Sequence, residues 1–250
     1  TDLLLKTSDR TILVGETPPI IPAGPAKMNE NEIARLLAAV SPQYKEAVQF
    51  LINEARSTRV GFLEFRSALK ASAREFIQAN PEIVSTQKFV SFSLADRYGP
   101  SKRKSNIWTL ELLMEEASQL GLPPRIETFS TPESLAAEMN LKGIKDILIT
   151  DDALYSGRQM RSLLTKLSEK VPRGSTAHVV VPFLTEGAKY LIMTSLSSFG
   201  PLKIKFYEQY EMESFSTRVE AAVESGQLSK EGSARLNELI DWDDTRTLTY

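Results

Sequence analysis

The chain has no cysteine and a single histidine, His178, among its 250 residues. Without cysteine, neither a disulfide framework nor a thiolate metal site can form. One histidine also excludes every metal motif that needs two, such as HExxH. Any metal site would therefore consist mainly of carboxylates.

Long apolar runs and an excess of positive charge are also missing. No stretch reaches the roughly 20 apolar residues of a membrane span, and the first residues lack the basic-then-apolar layout of a signal peptide. The formal net charge is −2, whereas general nucleic-acid binders carry a strong basic excess. We therefore expect a cytoplasmic protein with no membrane partner. Nucleic acid is not favoured as a partner, although a local basic patch fits the composition.

Proline and helical periodicity divide the first third of the chain. Residues 1–27 are expected to form an irregular arm or linker, because TPPIIPAGPAK at residues 17–27 contains four prolines and proline cannot continue a helix. Residues 28–84 repeat apolar side chains at helical spacing, for example in NENEIARLLAAV, which predicts a helical region. Its helices could contact a protein partner or a second copy of the chain.

Residues 85–250 have the pattern of an α/β domain. Five short β-rich runs, KFVSFSL, RIETFS, KDILITDD, AHVVVPF and KIKFYEQ, alternate with four amphipathic helices. This alternation predicts right-handed crossovers and a mainly parallel, doubly wound, five-stranded sheet. One or two helices are expected to follow as a C-terminal hood, and the final TRTLTY resembles a strand cut short.

Two adjacent acidic residues, Asp151 and Asp152, follow the third predicted strand in ILITDDALYSGRQ. They would lie at the carboxyl edge of the sheet, where open parallel sheets bind ligands. Adjacent carboxylates repel one another, and ribose hydroxyls or hydrated Mg²⁺ would stabilise them. Ser156 and Gly157 predict a turn before a helix, and such turns bind phosphate through backbone amides. Together these features suggest a ribose 5-phosphate ligand.

Other proteins use the same acidic pair differently. Acidic pairs after apolar strands also form solvated turns, and they bind metal in nucleotide hydrolases and receiver domains. The Ser-Gly turn at the right spacing, with a helix behind it, favours a ligand site over a plain strand end.

The segment DDALYSGRQMRSLL resembles the phosphoribosyl-diphosphate (PRPP) signature of type I phosphoribosyltransferases. That signature has hydrophobic residues, two acidic residues, three variable positions, Thr or Ser, Gly, one variable residue and Thr or Ser. The resemblance implies a phosphoribosyltransferase-like fold, PRPP or a nucleotide as ligand, and Mg²⁺ as cofactor. It implies that Asp151 and Asp152 hold the ribose hydroxyls and the metal and are catalytic. The residues implied for the 5-phosphate are Tyr155, Ser156, Gly157, Arg158 and Gln159.

The departures from the family are also informative. Gln159 replaces the final Thr or Ser, and the usual glycine-rich diphosphate loop and covering loop are missing. The loop at residues 93–106 could hold a diphosphate by charge or be a solvated basic loop. Its candidate residues are Arg97, Lys102, Arg103, Lys104 and Ser105.

This profile is similar to the divergent phosphoribosyltransferase-like domains of prokaryotic conflict and anti-phage systems, which carry a helical N-terminal extension. Within the signature, Leu154, Tyr155 and Arg158 look most like the pyrimidine-operon regulator branch. Two functions remain: a phosphoribosyltransferase or a relative that cleaves a nucleotide, and a non-catalytic nucleotide-sensing or defence-effector module.

Three further interpretations concern single residues or short segments. His178 begins an apolar strand and is expected to be a hydrogen-bonded strand residue rather than a catalyst. The acidic stretch from Glu111 to Glu116 is expected to face solvent. Four aromatic residues could stack on a base or simply pack: Tyr207, Tyr210, Phe215 and Trp242.

Overall fold

The computed structural model describes residues 3–7, 10–14, 30–57, 60–86, 88–92, 105–119, 127–195 and 200–239, with only the backbone described at 3–7, 10–14 and 105–108. Eight strands of these residues form one sheet. The strands are β1 (Leu3–Thr7), β2 (Arg10–Val14), β3 (Phe89–Phe92), β4 (Glu127–Phe129), β5 (Asp146–Thr150), β6 (Ala153–Leu154), β7 (Thr176–Thr185) and β8 (Lys203–Met212).

The sheet is mainly parallel, as the sequence predicts. Its order is β2-β1-β4-β3-β5-β7, with β6 and β8 also paired to β7, and β1–β2 is the antiparallel pair. The five expected strands are present as β3, β4, β5, β7 and β8. The α/β class with a mainly parallel sheet is therefore confirmed.

Strands β1 and β2 lie in the segment that proline content marked as an irregular arm, so that expectation is wrong for residues 3–7 and 10–14. These residues form strands because they pair with a distant part of the chain. β1 pairs in parallel with β4, more than a hundred residues further along the chain, and β2 pairs back on β1. The prolines that suggested an arm come later, at residues 17–27.

Ten α-helices accompany the strands within the described residues. They are α1 (Glu30–Ala39), α2 (Lys45–Ser57), α3 (Phe62–Ala79), α4 (Pro81–Ser85), α5 (Ser105–Gln119), α6 (Pro132–Lys142), α7 (Arg158–Ser168), α8 (Glu186–Thr194), α9 (Phe215–Glu224) and α10 (Lys230–Leu239). No described helix has both the length and the hydropathy needed to cross a membrane.

Helices cover both faces of the sheet, because its strands are apolar on both sides. Ile147 and Ile149 of β5 pack in one cluster with residues of α6, α7 and α8. Leu148, between them, packs in a second cluster with residues of α3, α4 and α5. Buried parallel strands are expected to be apolar at every position, and the arrangement is compatible with a doubly wound fold.

The chain divides into two compact units, residues 1–18 with 63–212 and residues 19–62 with 213–250. The first holds the sheet and α4 to α8, together with α3 after its first residue. The second holds α1, α2, α9 and α10, whose core joins Ala47 and Phe50 to Val219, Ala222, Leu228 and Leu236. This grouping differs from the division at residues 28 and 85, since α3 packs on the sheet and the C-terminal helices pack with α2.

An ion-pair ladder joins α3 to α5, and it corrects at Glu116 the expectation that the acidic stretch of α5 faces solvent. Arg66 pairs with Glu115 at 2.5 Å. Lys70 and Arg74 both pair with Glu116, at 3.1 and 2.5 Å. The Glu116 side chain is only 1% exposed. A carboxylate is rarely buried this fully unless it is paired, and the cations of α3 supply its partners.

A carboxylate also caps α10 in the second unit. Glu46 accepts hydrogen bonds of 2.6 Å from both the N–H and the hydroxyl of Ser229. These bonds hold the pKa of Glu46 below its ordinary value of 4.5. Because the folded pKa is depressed, the stabilisation is complete above the ordinary value and is lost as the pH falls through the lower folded value.

We therefore expect Glu46→Gln to remove one acid-sensitive contribution to stability. The free energy of unfolding of the unaltered chain should fall more steeply below about pH 4.5 than that of the variant. Urea titrations of both proteins at several pH values measure this difference. Parallel pH profiles would contradict the role given to the Ser229 bonds.

Candidate functional site

The two aspartates lie where the strand order of the sheet reverses. Along the chain, β3 is followed by β4, which pairs with one side of β3. The chain then crosses to β5, which pairs with the other side of β3. Phe92, the last residue of β3, is paired with Ile149, so both strands end at the same edge. Asp151 and Asp152 directly follow β5. In parallel sheets this reversal leaves a crevice in which ligands bind.

The strand bends at the aspartates. Thr150 lies opposite Val180 and Ala153 opposite Phe183, so the pairing register with β7 is the same before and after the bend. Nevertheless Ile149 and Leu154 pack in the same hydrophobic cluster, although residues five apart on a regular strand point to opposite faces. Pro182 stands opposite the break and has no N–H to donate. The bend leaves both aspartates half-buried.

Each carboxylate bonds the next backbone amide. Asp151 Oδ1 accepts the N–H of Asp152 at 3.0 Å, and Asp152 Oδ1 accepts the N–H of Ala153 at 3.0 Å. These bonds orient both side chains. An ionised carboxylate offers about four acceptor positions, so each has the capacity to accept further donors such as sugar hydroxyls.

Helix α7 starts without a side-chain cap. Four other helices begin with a hydroxyl that accepts a backbone N–H three residues on, from Thr131, Thr185, Ser214 and Ser229. α7 instead begins after Gly157, and no side-chain cap hydrogen bond is formed there. Nearby, Ser156 Oγ accepts the Arg158 N–H at a long 3.5 Å. First-turn amides lack partners within a helix and carry partial positive charge, so this end of α7 favours an anion.

The glycine of the turn is required by packing. Gly157 has φ 68°, and a Cβ built on it would lie 2.9 Å from the carbonyl oxygen of Ala188 in α8. Thr185 fixes the same turn, because its hydroxyl donates to the Tyr155 carbonyl at 2.5 Å and accepts the Ala188 N–H at 3.1 Å. Sequence reasoning missed Thr185 and Ala188. The Thr185 cap was visible as a helix-start signal, but its contact with Tyr155 was not.

Tyr155 adds a neutral phenol beside the acidic pair. The residue is 52% exposed. Burial of the rest of its side chain raises the pKa of Tyr155 above the usual 10.0, and the negative charge of Asp152 adds to that rise. The phenol therefore keeps its proton at neutral pH and can donate a hydrogen bond. The next two predicted phosphate residues after the turn, Arg158 and Gln159, are exposed on the first turn of α7.

The predicted diphosphate residues lie mostly outside the described part of the chain. These are Arg97, Lys102, Arg103 and Lys104; Ser105 is the first residue of α5. Within the residues the structure describes, no group of three or more His, Asp or Glu side chains is placed to hold a metal. Asp151 and Asp152 remain a pair of oxygen donors, and Mg²⁺ is usually bound through one or two carboxylates with water and substrate phosphates.

Two cavities are found elsewhere in the described residues. One of about 240 Å³ lies at the opposite, amino edge of the sheet, beside Asp146. Another of about 440 Å³ lies in the second unit, beside Phe50. Neither of these two cavities is lined by residues 151–159. Comparisons with protein-family models, curated proteins and solved structures find no match to the chain.

Proposed function

We propose that the chain is a phosphoribosyltransferase-like enzyme that binds PRPP or a related ribose 5-phosphate nucleotide with Mg²⁺. It transfers or cleaves the group at the anomeric carbon. One observation carries the proposal: two half-buried, adjacent carboxylates stand at the strand-order reversal beside the uncapped N-terminus of α7. Carboxylates suit ribose hydroxyls, and helix-terminal amides suit a phosphate.

In this mechanism the protein acts by positioning and electrostatics. Asp151 and Asp152 accept hydrogen bonds from the 2′ and 3′ hydroxyls, and the first-turn amides of α7 hold the 5-phosphate. The two negative charges then lie near the anomeric carbon, which becomes positive as its bond to the leaving group stretches. An acceptor nitrogen or a water forms the new bond and loses a proton, while the leaving group takes the bonding electron pair.

Mg²⁺ would be held by Asp151 and Asp152 and would supply charge neutralisation for a diphosphate. The donor set fits, because Mg²⁺ prefers oxygen ligands. The basic residues 97 and 102–104 are proposed to contribute to the same neutralisation.

A second candidate is a nucleotide-binding module without turnover, acting as a sensor or as the effector of a defence system. Gln159 favours it, since an amide stands where the family has the hydroxyl of Thr or Ser.

The decisive experiment combines Asp151→Asn with Asp152→Asn. PRPP and a panel of nucleoside monophosphates are titrated with Mg²⁺ by calorimetry, and diphosphate release is followed with a panel of bases. We expect saturable binding by the unaltered chain and weakening by about 100-fold or more in the double variant, the scale of weakening two hydrogen bonds to charged groups, each of about 1.5–3 kcal/mol. Glu133→Gln, a change of an exposed carboxylate, is the matched control and should bind normally.

The possible outcomes separate the candidates. Diphosphate release that depends on the aspartates supports the enzyme. Binding without turnover supports the sensor. If no ribose phosphate binds, or the double variant binds as well as the control, both candidates are wrong.

A further inference from the structure

The histidine of the chain lies at the centre of a buried polar network, away from the candidate site. His178 on β7 is 1% exposed. Its Nε2 lies 2.8 Å from Asp146 Oδ1 on β5, and its Nδ1 lies 3.0 Å from the hydroxyl of Tyr207 on β8. This confirms the expectation of a hydrogen-bonded strand residue. Both ring nitrogens are used, so the network specifies where the ring carries its proton.

The donors and acceptors of the network can be assigned one after another, beginning at helix α3. Asn80 Nδ2 lies 2.7 Å from the carbonyl oxygen of Phe76, which can only accept. The same amide group donates to the Tyr207 hydroxyl oxygen at 2.9 Å. Tyr207 therefore uses its own O–H to donate to His178 Nδ1. The ring proton must then be on Nε2, where it is donated to Asp146.

A second ring proton does not fit this arrangement. A proton on Nδ1 would face the oxygen of Tyr207, which already accepts from Asn80. Burial raises the pKa of Tyr207 above its usual 10.0, so the phenol keeps its proton. That proton would have no second acceptor in the network, and an unsatisfied buried donor is costly.

The Phe76 ring and a cavity lie next to this network. The Phe76 ring packs edge-on to His178, with centroids 5.3 Å apart. Of the hydrogen-bonded residues in the network, Asp146 lines the 240 Å³ cavity. The charged groups near the network are Asp146 on β5, Glu75 on α3 and Lys205 on β8, which lies opposite His178 in the strand register. Glu82, Lys88 and Lys145 line the cavity.

We propose that Asn80, Tyr207, His178 and Asp146 form a proton-sensitive lock, which holds α3 to strands β5, β7 and β8 while the imidazole is neutral. Uptake of a proton by His178 breaks the bond from Tyr207 and loosens this face of the sheet. The proposal is independent of the ribose phosphate site.

Nitrogen-15 NMR tests the lock directly, because the chain has one histidine and its ring signals are unambiguous. We expect the unaltered chain at neutral pH to have a proton on Nε2 and none on Nδ1. Asn80→Asp replaces the donor by an acceptor, so Tyr207 should donate to the new carboxylate and His178 should gain a second proton. Asn140→Asp, at an exposed position of α6, adds the same charge elsewhere and should leave the ring neutral.

Stability measurements give a second test. On acidification from neutral pH, the melting temperature should fall less for His178→Gln than for the unaltered chain, because the variant has no imidazole to take up a proton. A proton on Nδ1 at neutral pH, or no change of ring protonation in Asn80→Asp, would overturn the lock. Equal acid sensitivity with and without His178 would overturn it as well.

Discussion

Gly157→Ala is expected to destabilise the first unit by about 2–5 kcal/mol. A left-handed backbone costs alanine about 1–2 kcal/mol, and forcing a methyl group into a packed contact costs about 1–3 kcal/mol more. The contact here is with backbone, since the new Cβ would lie 2.9 Å from Ala188 O and 3.0 Å from Ala188 Cα. Backbone atoms of α8 cannot swing away as a side chain can.

Gly143→Ala is the matched control. Gly143 has a similar φ of 65°, but a Cβ added there would meet no atom within 4 Å. It should lose only the conformational part, about 1–2 kcal/mol. Urea denaturation of both variants measures the difference as a shift of midpoint at constant slope. If the two glycines prove equally costly to replace, the close approach of the turn to α8 is not what requires glycine at residue 157.

Glu116→Gln is the second change expected to have a large effect. It removes a buried charge that two cations of α3 share, Lys70 and Arg74. Breaking a buried ion pair costs about 3–5 kcal/mol. We expect about 3 kcal/mol, because the Lys70 and Arg74 side chains are 21% and 54% exposed and can still reach water.

The neighbouring acid supplies the control for this prediction. Glu115 makes one ion pair, with Arg66, and its side chain is 43% exposed. Glu115→Gln should therefore cost less than about 1 kcal/mol, as exposed pairs do. Thermal and urea unfolding of the two variants provide the comparison. A loss at residue 116 no larger than that at residue 115 would show that the ladder contributes little.

The successful sequence predictions depend on local patterns. The apolar run at residues 147–149 is buried on both faces of the sheet, which explains why β5 could be recognised without any alternation. The helix after Ser156 and Gly157 could be predicted because apolar residues recur at helical spacing: Met160, Leu163, Leu164 and Leu167 are all buried. These signals also placed the acidic pair at the end of a strand.

The missed features depend on distant residues. β1 is a strand because it pairs with β4, and the sequence around residue 3 does not indicate which strand it will pair with. Glu116 looks like any surface carboxylate until α3 brings two cations to it. The Ser-Gly turn could be identified from sequence, but the contact of Gly157 with Ala188 depends on where α8 packs.

By itself, the sequence determined the α/β class, the five main strands, the helices between them and the position of Asp151 and Asp152 after β5. These follow from side-chain periodicity and turn residues, which act over a few neighbouring positions. Only the tertiary structure decided the strand order, the bend opposite Pro182, the burial of Glu116 and the direction of the hydrogen bonds through His178. Each of these needs groups far apart in the chain to meet, and their meeting is governed by packing of the whole unit.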